Sequence, residues 1–185
     1  MAEQLPISDQ VSLARITPPP IVPHFVFRQE LIERIDFPAP HATFIVAPSG
    51  YGKTSLAAQM VQRSERPVIW YTIEKGETTH ETARNMIAAG RVAIPNFAPW
   101  ADEYLLTDFD VIDWTVRLCN EIGKFKGEVN AVFDRAENFS NEHLGMLQTF
   151  VNNAPNNLCF ISLRSIMPTV SYAKPASIDA LSFLG

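Results

Sequence analysis

The sequence has little of what marks several protein classes. Its 185 residues hold two cysteines, Cys119 and Cys159, and no CxxC pair. Two such thiols read as buried core residues in a reducing compartment rather than as a disulfide frame. The four histidines, His24, His41, His80 and His143, are scattered without ligand spacing, so no zinc site is expected. No apolar run approaches the ~20 residues of a membrane-spanning helix. The opening MAEQLPISDQ has no basic start followed by an apolar core, so no secretory leader is expected. Basic side chains are outnumbered, 15 Lys and Arg against 20 Asp and Glu, for a net charge of -5. That excludes a broad nucleic-acid-binding face. No internal repeat is visible. A cytoplasmic chain is expected, with no membrane contact and no direct DNA binding. The remainder is ordinary: 46% hydrophobic and 19% charged residues rule out a largely disordered chain. The length suits one domain able to bury roughly 70% of its unfolded surface.

Periodicity divides the chain into alternating strands and helices. Residues 1–27 read as an extended, proline-rich lead-in, because Pro18, Pro19, Pro20 and Pro23 oppose a helix. A short helix is predicted over 28–36, with Leu31, Ile32 and Ile35 on one face. The run TFIVA at 43–47 is a buried strand followed by a glycine turn at 48–52. A helix over 53–63 turns Leu56, Ala57, Met60 and Val61 inward. A strand at 67–73 and a helix at 79–93, capped by Thr78 or Thr79, come next. Residues 94–108 look like an irregular insert. A helix at 110–125 carries Val111, Thr115, Leu118 and Ile122 at helical spacing. A strand at 129–133, a helix at 141–152 using Leu144, Leu147 and Val151, a strand at 158–163 and a final strand within 176–183 complete the pattern. Such alternation predicts an α/β fold with a mainly parallel sheet, residues 28–185 forming one domain.

The most informative stretch is Ala47-Pro48-Ser49-Gly50-Tyr51-Gly52-Lys53-Thr54-Ser55. It fits the phosphate-loop pattern GxxxxGK[ST], with alanine in place of the first glycine. Phosphates need several backbone N–H groups converging on one concavity. Gly50 and Gly52 permit the angles that this requires. A helix starting at Lys53 adds the positive end of its dipole. Lys53 would reach the β- and γ-phosphates, and Thr54 would place its hydroxyl on Mg2+. A metal-holding carboxylate is expected at the end of a second strand, where Asp134 closes NAVFD. Arg164 closes the strand LCFISLR, on the rim where open α/β sheets bind ligands.

Taken in order, these segments resemble the STAND class of signalling ATPases, in particular the MalT-like, large LuxR-type transcriptional activators. The carriers are ITPPPIVPHFVFRQELIERI, IVAPSGYGKTSLAAQM, VIWYTIEKGE, NAVFDRAENF and NNLCFISLRSIMP, covering about residues 13–170. The resemblance implies a P-loop domain of the additional-strand type, five strands in the order 5-1-4-3-2. It implies a switch that holds ADP at rest, exchanges to ATP, and self-associates or engages downstream regulatory domains. DNA binding would belong to a separate helix-turn-helix domain. Lys53 and Thr54 take the loop roles, Asp134 the Mg2+ role and Arg164 a γ-phosphate sensor role. Val26, Phe27 and Arg28 would lie beside the adenine.

The sequence departs from that pattern at Arg135, which stands where the family carries a second acid. Glu137, three residues past Asp134, is a weak substitute, with a solvated loop acid as the plainer interpretation. Glu74 is another acid near the site edge. Slow or absent hydrolysis is therefore expected. A turnover ATPase or small-molecule kinase and a nucleotide-poor interaction scaffold are the alternatives. Residues 97–113 are unusual in composition, with five acids, four aromatics and no Lys or Arg. A docking surface is one interpretation; a helix start with aromatics packed into the core is the favoured one.

Overall fold

The computed structural model describes residues 11–21, 26–35, 39–106, 109–166 and 181–183. The expectations for residues 1–10, 22–25, 36, 107–108, 167–180 and 184–185, and for the Ile35 side chain, lie outside that set. Two short helices, α1 (Leu13–Ile16) and α2 (Gln29–Ile35), precede β1 (His41–Val46) and α3 (Lys53–Ser64). Next come β2 (Val68–Thr72), α4 (Thr79–Ala93), the single turn α5 (Ala101–Tyr104) and α6 (Val111–Gly123). Strand β3 (Val129–Asp134) leads through two 3-10 turns into α7 (Leu144–Asn152), followed by β4 (Leu158–Arg164) and the short β5 (Leu181–Phe183).

All strand pairings are parallel, and the sheet order is β2-β3-β4-β1-β5. Four strands of five to seven residues make up most of it. β5 adds three residues beside Phe44, Ile45 and Val46. Because successive side chains of a strand point to opposite faces, each strand feeds two cores. Phe44, Tyr71, Phe133 and Phe160 join the larger one, with residues of α1, α4, α6 and α7. Ile45, Trp70, Val132 and Ile161 join the smaller one, with Ile32 of α2 and Leu56, Ala57, Met60 and Val61 of α3. A sheet covered on both faces explains why the strands read as unbroken apolar runs.

Local chemistry fixes the helix starts. Thr78 accepts from the Glu81 N–H while the Glu81 side chain returns to the Thr78 N–H, a complete capping box on α4. Asp110 caps α6 by accepting from the Ile112 and Asp113 N–H groups at 2.7 and 2.9 Å.

Three expectations are corrected. The lead-in is not wholly extended: Leu13–Ile16 forms a helical turn that ends before Thr17, since the residue ahead of a proline disfavours helical angles. Ile16 is fully buried in the larger core. The segment 94–108 is no loose insert, because it contains α5 and buries Phe97, Ala98, Ala101 and Leu105. On α7 the inward residues are Met146, Leu147 and Phe150, whereas Leu144 is 40% exposed and Val151 half-buried. The inward stripe begins one residue earlier, at the buried His143. Both cysteines are buried and neither is in a disulfide among the described residues; desolvation pushes the Cys119 thiol up to about 12. Among the described residues, no helix is long and apolar enough to cross a membrane.

Candidate functional site

Parallel pairing puts the C-terminal ends of β1, β2, β3 and β4 on one edge of the sheet. Val46 lies beside Arg164, and Thr72 beside Asp134. The loop after β1 rises from that edge. Ala47 continues the strand, is buried, and donates its N–H to Arg164 O at 3.1 Å. Its φ is not positive, which is why alanine serves where the motif has glycine. Gly50 and Gly52 do need their freedom, at φ +86° and +77°. Gly52 is the N-cap of α3 and supplies no side-chain cap. The first intrahelical bond runs from Leu56 N to Gly52 O, so the N–H groups of Lys53, Thr54 and Ser55 have no intrahelical acceptor. Ser49, Gly50 and Tyr51 are exposed at the loop tip.

Lys53 curls over this loop. Its Nζ donates to Ala47 O at 2.7 Å and to Pro48 O at 3.0 Å. Thr54 turns the other way, and its hydroxyl lies 3.2 and 3.1 Å from the two carboxylate oxygens of Asp134. β4 separates β1 from β3, so the pair meets across one intervening strand. Asp134 is 4% exposed. Desolvation pushes its carboxyl above the usual aspartate range, partly offset by the Thr54 hydroxyl and the Arg135 N–H. That N–H, at 2.9 Å from Oδ1, is its other described partner.

Arg135 itself is exposed and takes a left-handed φ of 56°. Such a backbone costs ~1 kcal/mol or more in a residue with a side chain. It turns the chain sharply into a 3-10 turn, Ala136–Asn138. Glu137 therefore is not the solvated loop acid of the plainer expectation. It is half-buried, and its Oε1 accepts from the Ser165 hydroxyl at 2.7 Å. Among the described residues its Oε2 is buried with no partner, and so is Nε of the half-buried Arg164. Two orphaned polar atoms of opposite sign thus lie at the ends of adjacent strands, beside the loop.

Glu74 is turned away from this group. It is exposed and stands 3.6 Å from Arg15, which bridges to Glu77 and donates to Thr72 O at 3.2 Å. Glu77 also accepts from Tyr71 Oη and, at 3.2 Å, from Asn85 Nδ2. This buried polar cluster fastens α1 to the exit of β2. That exit is in turn fixed to β3, through Ile73 N to Asp134 O at 3.0 Å and Asn138 Nδ2 to Ile73 O at 2.9 Å.

The segment before α2 reaches the loop from the other face. Val26 and Phe27 are 77% and 58% exposed. The Arg28 guanidinium lies 3.6 Å from the point where a Cβ on Gly52 would stand. Gln59 of α3 holds this segment, donating to Val26 O at 3.1 Å and accepting from Arg28 N at 3.2 Å. The structure thus groups Lys53, Thr54, Asp134, Arg164 and Glu137 on one edge and brings Arg28 against the loop. Gln59 and Ser165 escape sequence reasoning. A lone polar residue within the apolar stripe Leu56–Ala57–Met60–Val61 is the signal that marks Gln59. No signal marks Ser165. No protein-family model matches the chain, and no curated protein matches it either.

Proposed function

We propose that this chain is an ATP/ADP-binding switch domain with a P-loop fold of the additional-strand type, acting with Mg2+. It would serve a cytoplasmic, STAND-class, signal-responsive transcriptional regulator. The observation that carries the proposal is the meeting of the Thr54 hydroxyl with the buried Asp134 carboxylate at 3.1–3.2 Å, directly under a glycine loop. A desolvated carboxylate whose described partners are a hydroxyl and one N–H is an apt donor for a hard divalent cation. Thr54 and Asp134 would hold Mg2+, and when bound it neutralises charge on the terminal phosphate oxygens. The sheet order, counted from β5 as 5-1-4-3-2, also agrees with this fold class.

The chain's own groups divide the work. The N–H groups of residues 53–55 and the Lys53 ammonium bind phosphate. Arg164, with an unsatisfied Nε, reads the outermost phosphate. Val26, Phe27 and Arg28 flank the base. Hydrolysis is slow, since Arg135 offers no carboxylate and Glu137 is tied to Ser165. The test is to denature freshly purified protein and identify the released nucleotide chromatographically. ADP or ATP near one per chain is expected. Lys53→Ala should weaken Mg–ATP binding about a hundredfold or more and leave the ligand-free melting temperature unchanged, because a phosphate-facing ammonium contributes binding and not packing. Unchanged affinity in that variant would remove the phosphate-loop assignment.

A further inference from the structure

We infer that Gln59 is a positioning residue that fixes the nucleobase-reading segment beside the phosphate loop; this rests on the nucleotide-binding proposal above. Gln59 is 2% exposed and sits on the face of α3 that also carries Leu56 and Met60. A primary amide in such surroundings is costly unless both its ends are satisfied. Both are, by one short segment: Nε2 donates to Val26 O and Oε1 accepts from Arg28 N, at 3.1 and 3.2 Å. The two bonds straddle Phe27. They consume the acceptor before it and the donor after it. Among the described residues, the N–H and C=O of Phe27 itself have no partner.

A residue with both backbone groups free presents a donor and an acceptor side by side. That pair matches an adenine edge, where N6 donates and N1 accepts. The exposed side chains of Val26 and Phe27 supply apolar cover for a ring. Downstream, the segment is held by Ile32 N donating to Arg28 O at 3.1 Å, which starts α2. Gln59 adds the two anchors on the side that faces the loop. Its contribution is preorganisation: the segment's ordering cost is met before a ligand arrives. Such a contribution is felt by ligands that carry a base and not by bare polyphosphate.

The test compares Mg–ATP, Mg–GTP (whose base reverses the pattern, O6 accepting and N1 donating) and Mg–tripolyphosphate by calorimetry on the whole chain. Gln59→Leu is close in size and apolar. It is expected to weaken Mg–ATP about tenfold, the scale of one to two net hydrogen bonds, and to erase the preference for ATP over GTP. Mg–tripolyphosphate affinity should stay within about twofold. Gln59→Glu keeps the acceptor for Arg28 N but, when ionised, sets a buried carboxylate against Val26 O, so a loss of the same preference at least as large is expected, recovering in acid where the protonated carboxyl again donates to Val26 O. A role in α3 packing alone would move ATP and tripolyphosphate together. Equal losses for both ligands, or no loss for either, would overturn the inference. Wild-type protein that binds tripolyphosphate as tightly as ATP would overturn it while leaving the phosphate loop in place. Wild-type protein that binds neither would remove the nucleotide proposal, and this one with it.

Discussion

Two regions of this chain stand out, and they differ in what their polar atoms do. The segment from Phe97 to Asp113 is the more conspicuous by composition. Three of its five acids, Asp102, Asp110 and Asp113, are nevertheless consumed internally. Arg91 grips Asp102 with two nitrogens at 2.9 and 2.7 Å and also donates to Phe97 O and Ala98 O. Glu121 accepts from Trp100 Nε1 and Ala98 N, and Asp110 caps α6. Arg117 lies over Tyr104 at 4.9 Å and bonds Asp113 at 2.8 Å. Trp100, Tyr104, Phe109 and Trp114 follow one another edge to face, with centroids 5.8 to 6.4 Å apart. Trp114 Nε1 is buried without a partner among the described residues. At the loop edge the composition is plain, yet Glu137 Oε2, Arg164 Nε and the first N–H groups of α3 are left over. Unusual residues that satisfy one another hold a fold together. Ordinary residues that leave convergent groups unsatisfied await a ligand.

The largest effect that would sharpen this contrast lies on the structural side. Phe97 is 3% exposed, and its ring lies 2.2 Å from where a Cβ on Gly90 would stand, so α4 needs a glycine at that point. Phe97→Ala should destabilise the protein by ~3–5 kcal/mol through lost burial and a residual cavity. For a chain of this length that is roughly 10 °C in melting temperature. Nucleotide affinity measured well below the midpoint should be unchanged. An affinity loss in the folded variant would show the two regions to be coupled, and the contrast would fail.

A smaller effect of opposite sense belongs to Asp134. Its folded carboxyl holds its proton more tightly than the unfolded one does, because burial dominates its environment. Stability is therefore lost as pH rises from the ordinary aspartate value through the raised one. Asp134→Asn carries no buried charge and keeps an acceptor for Thr54 and Arg135. At pH 7 the ligand-free variant should melt higher, by about 2–4 °C if the gain is near 1 kcal/mol. The gap should close in acid, and Mg2+ should no longer strengthen ATP binding. A variant that melts lower at pH 7 would mean that Asp134 serves the fold more than a cation.

Much of this was legible in the sequence, for a physical reason. β1, the loop and α3 form a contiguous segment whose angles and dipole depend on near neighbours, so a local pattern exposes them. The strands are buried on both faces and show as apolar runs. What stayed hidden is long-range or polar. Gln59 finds Val26 across 33 positions and Arg15 finds Glu77 across 62. No periodicity encodes such a pairing. On α7 the inward stripe starts with His143, whose ring lies 3.1 Å from Thr82 Oγ1 and 2.9 Å from Ser140 Oγ. A pattern of apolar residues alone passes over that histidine and takes Leu144 instead. At α1 the prolines end a helical turn rather than forbid one.

The smallest effect tests the contrast from the acidic side. Asp113 is exposed, and its carboxyl is held below the usual aspartate range, first by the Tyr104 hydroxyl and then by Arg117. The folded state thus favours the charged form, the reverse of Asp134. Its contribution is present above the ordinary aspartate value and is lost as pH falls through the lowered one. Exposure and solvent screening keep that contribution small. Asp113→Asn should therefore melt slightly lower than wild type at pH 7 and equal to it in strong acid. Against the same axis the Asp134→Asn curve should lie on the other side of wild type. Melting both variants between pH 3 and pH 8 sets the two aspartates in one experiment. Two curves on opposite sides of wild type are expected from one carboxylate that serves the fold and one that is kept ready for a cation. Both curves above wild type would mean that the acidic segment also carries charge at a cost to stability, and a docking role for its acids would then replace the structural one; both below would mean that each aspartate serves the fold.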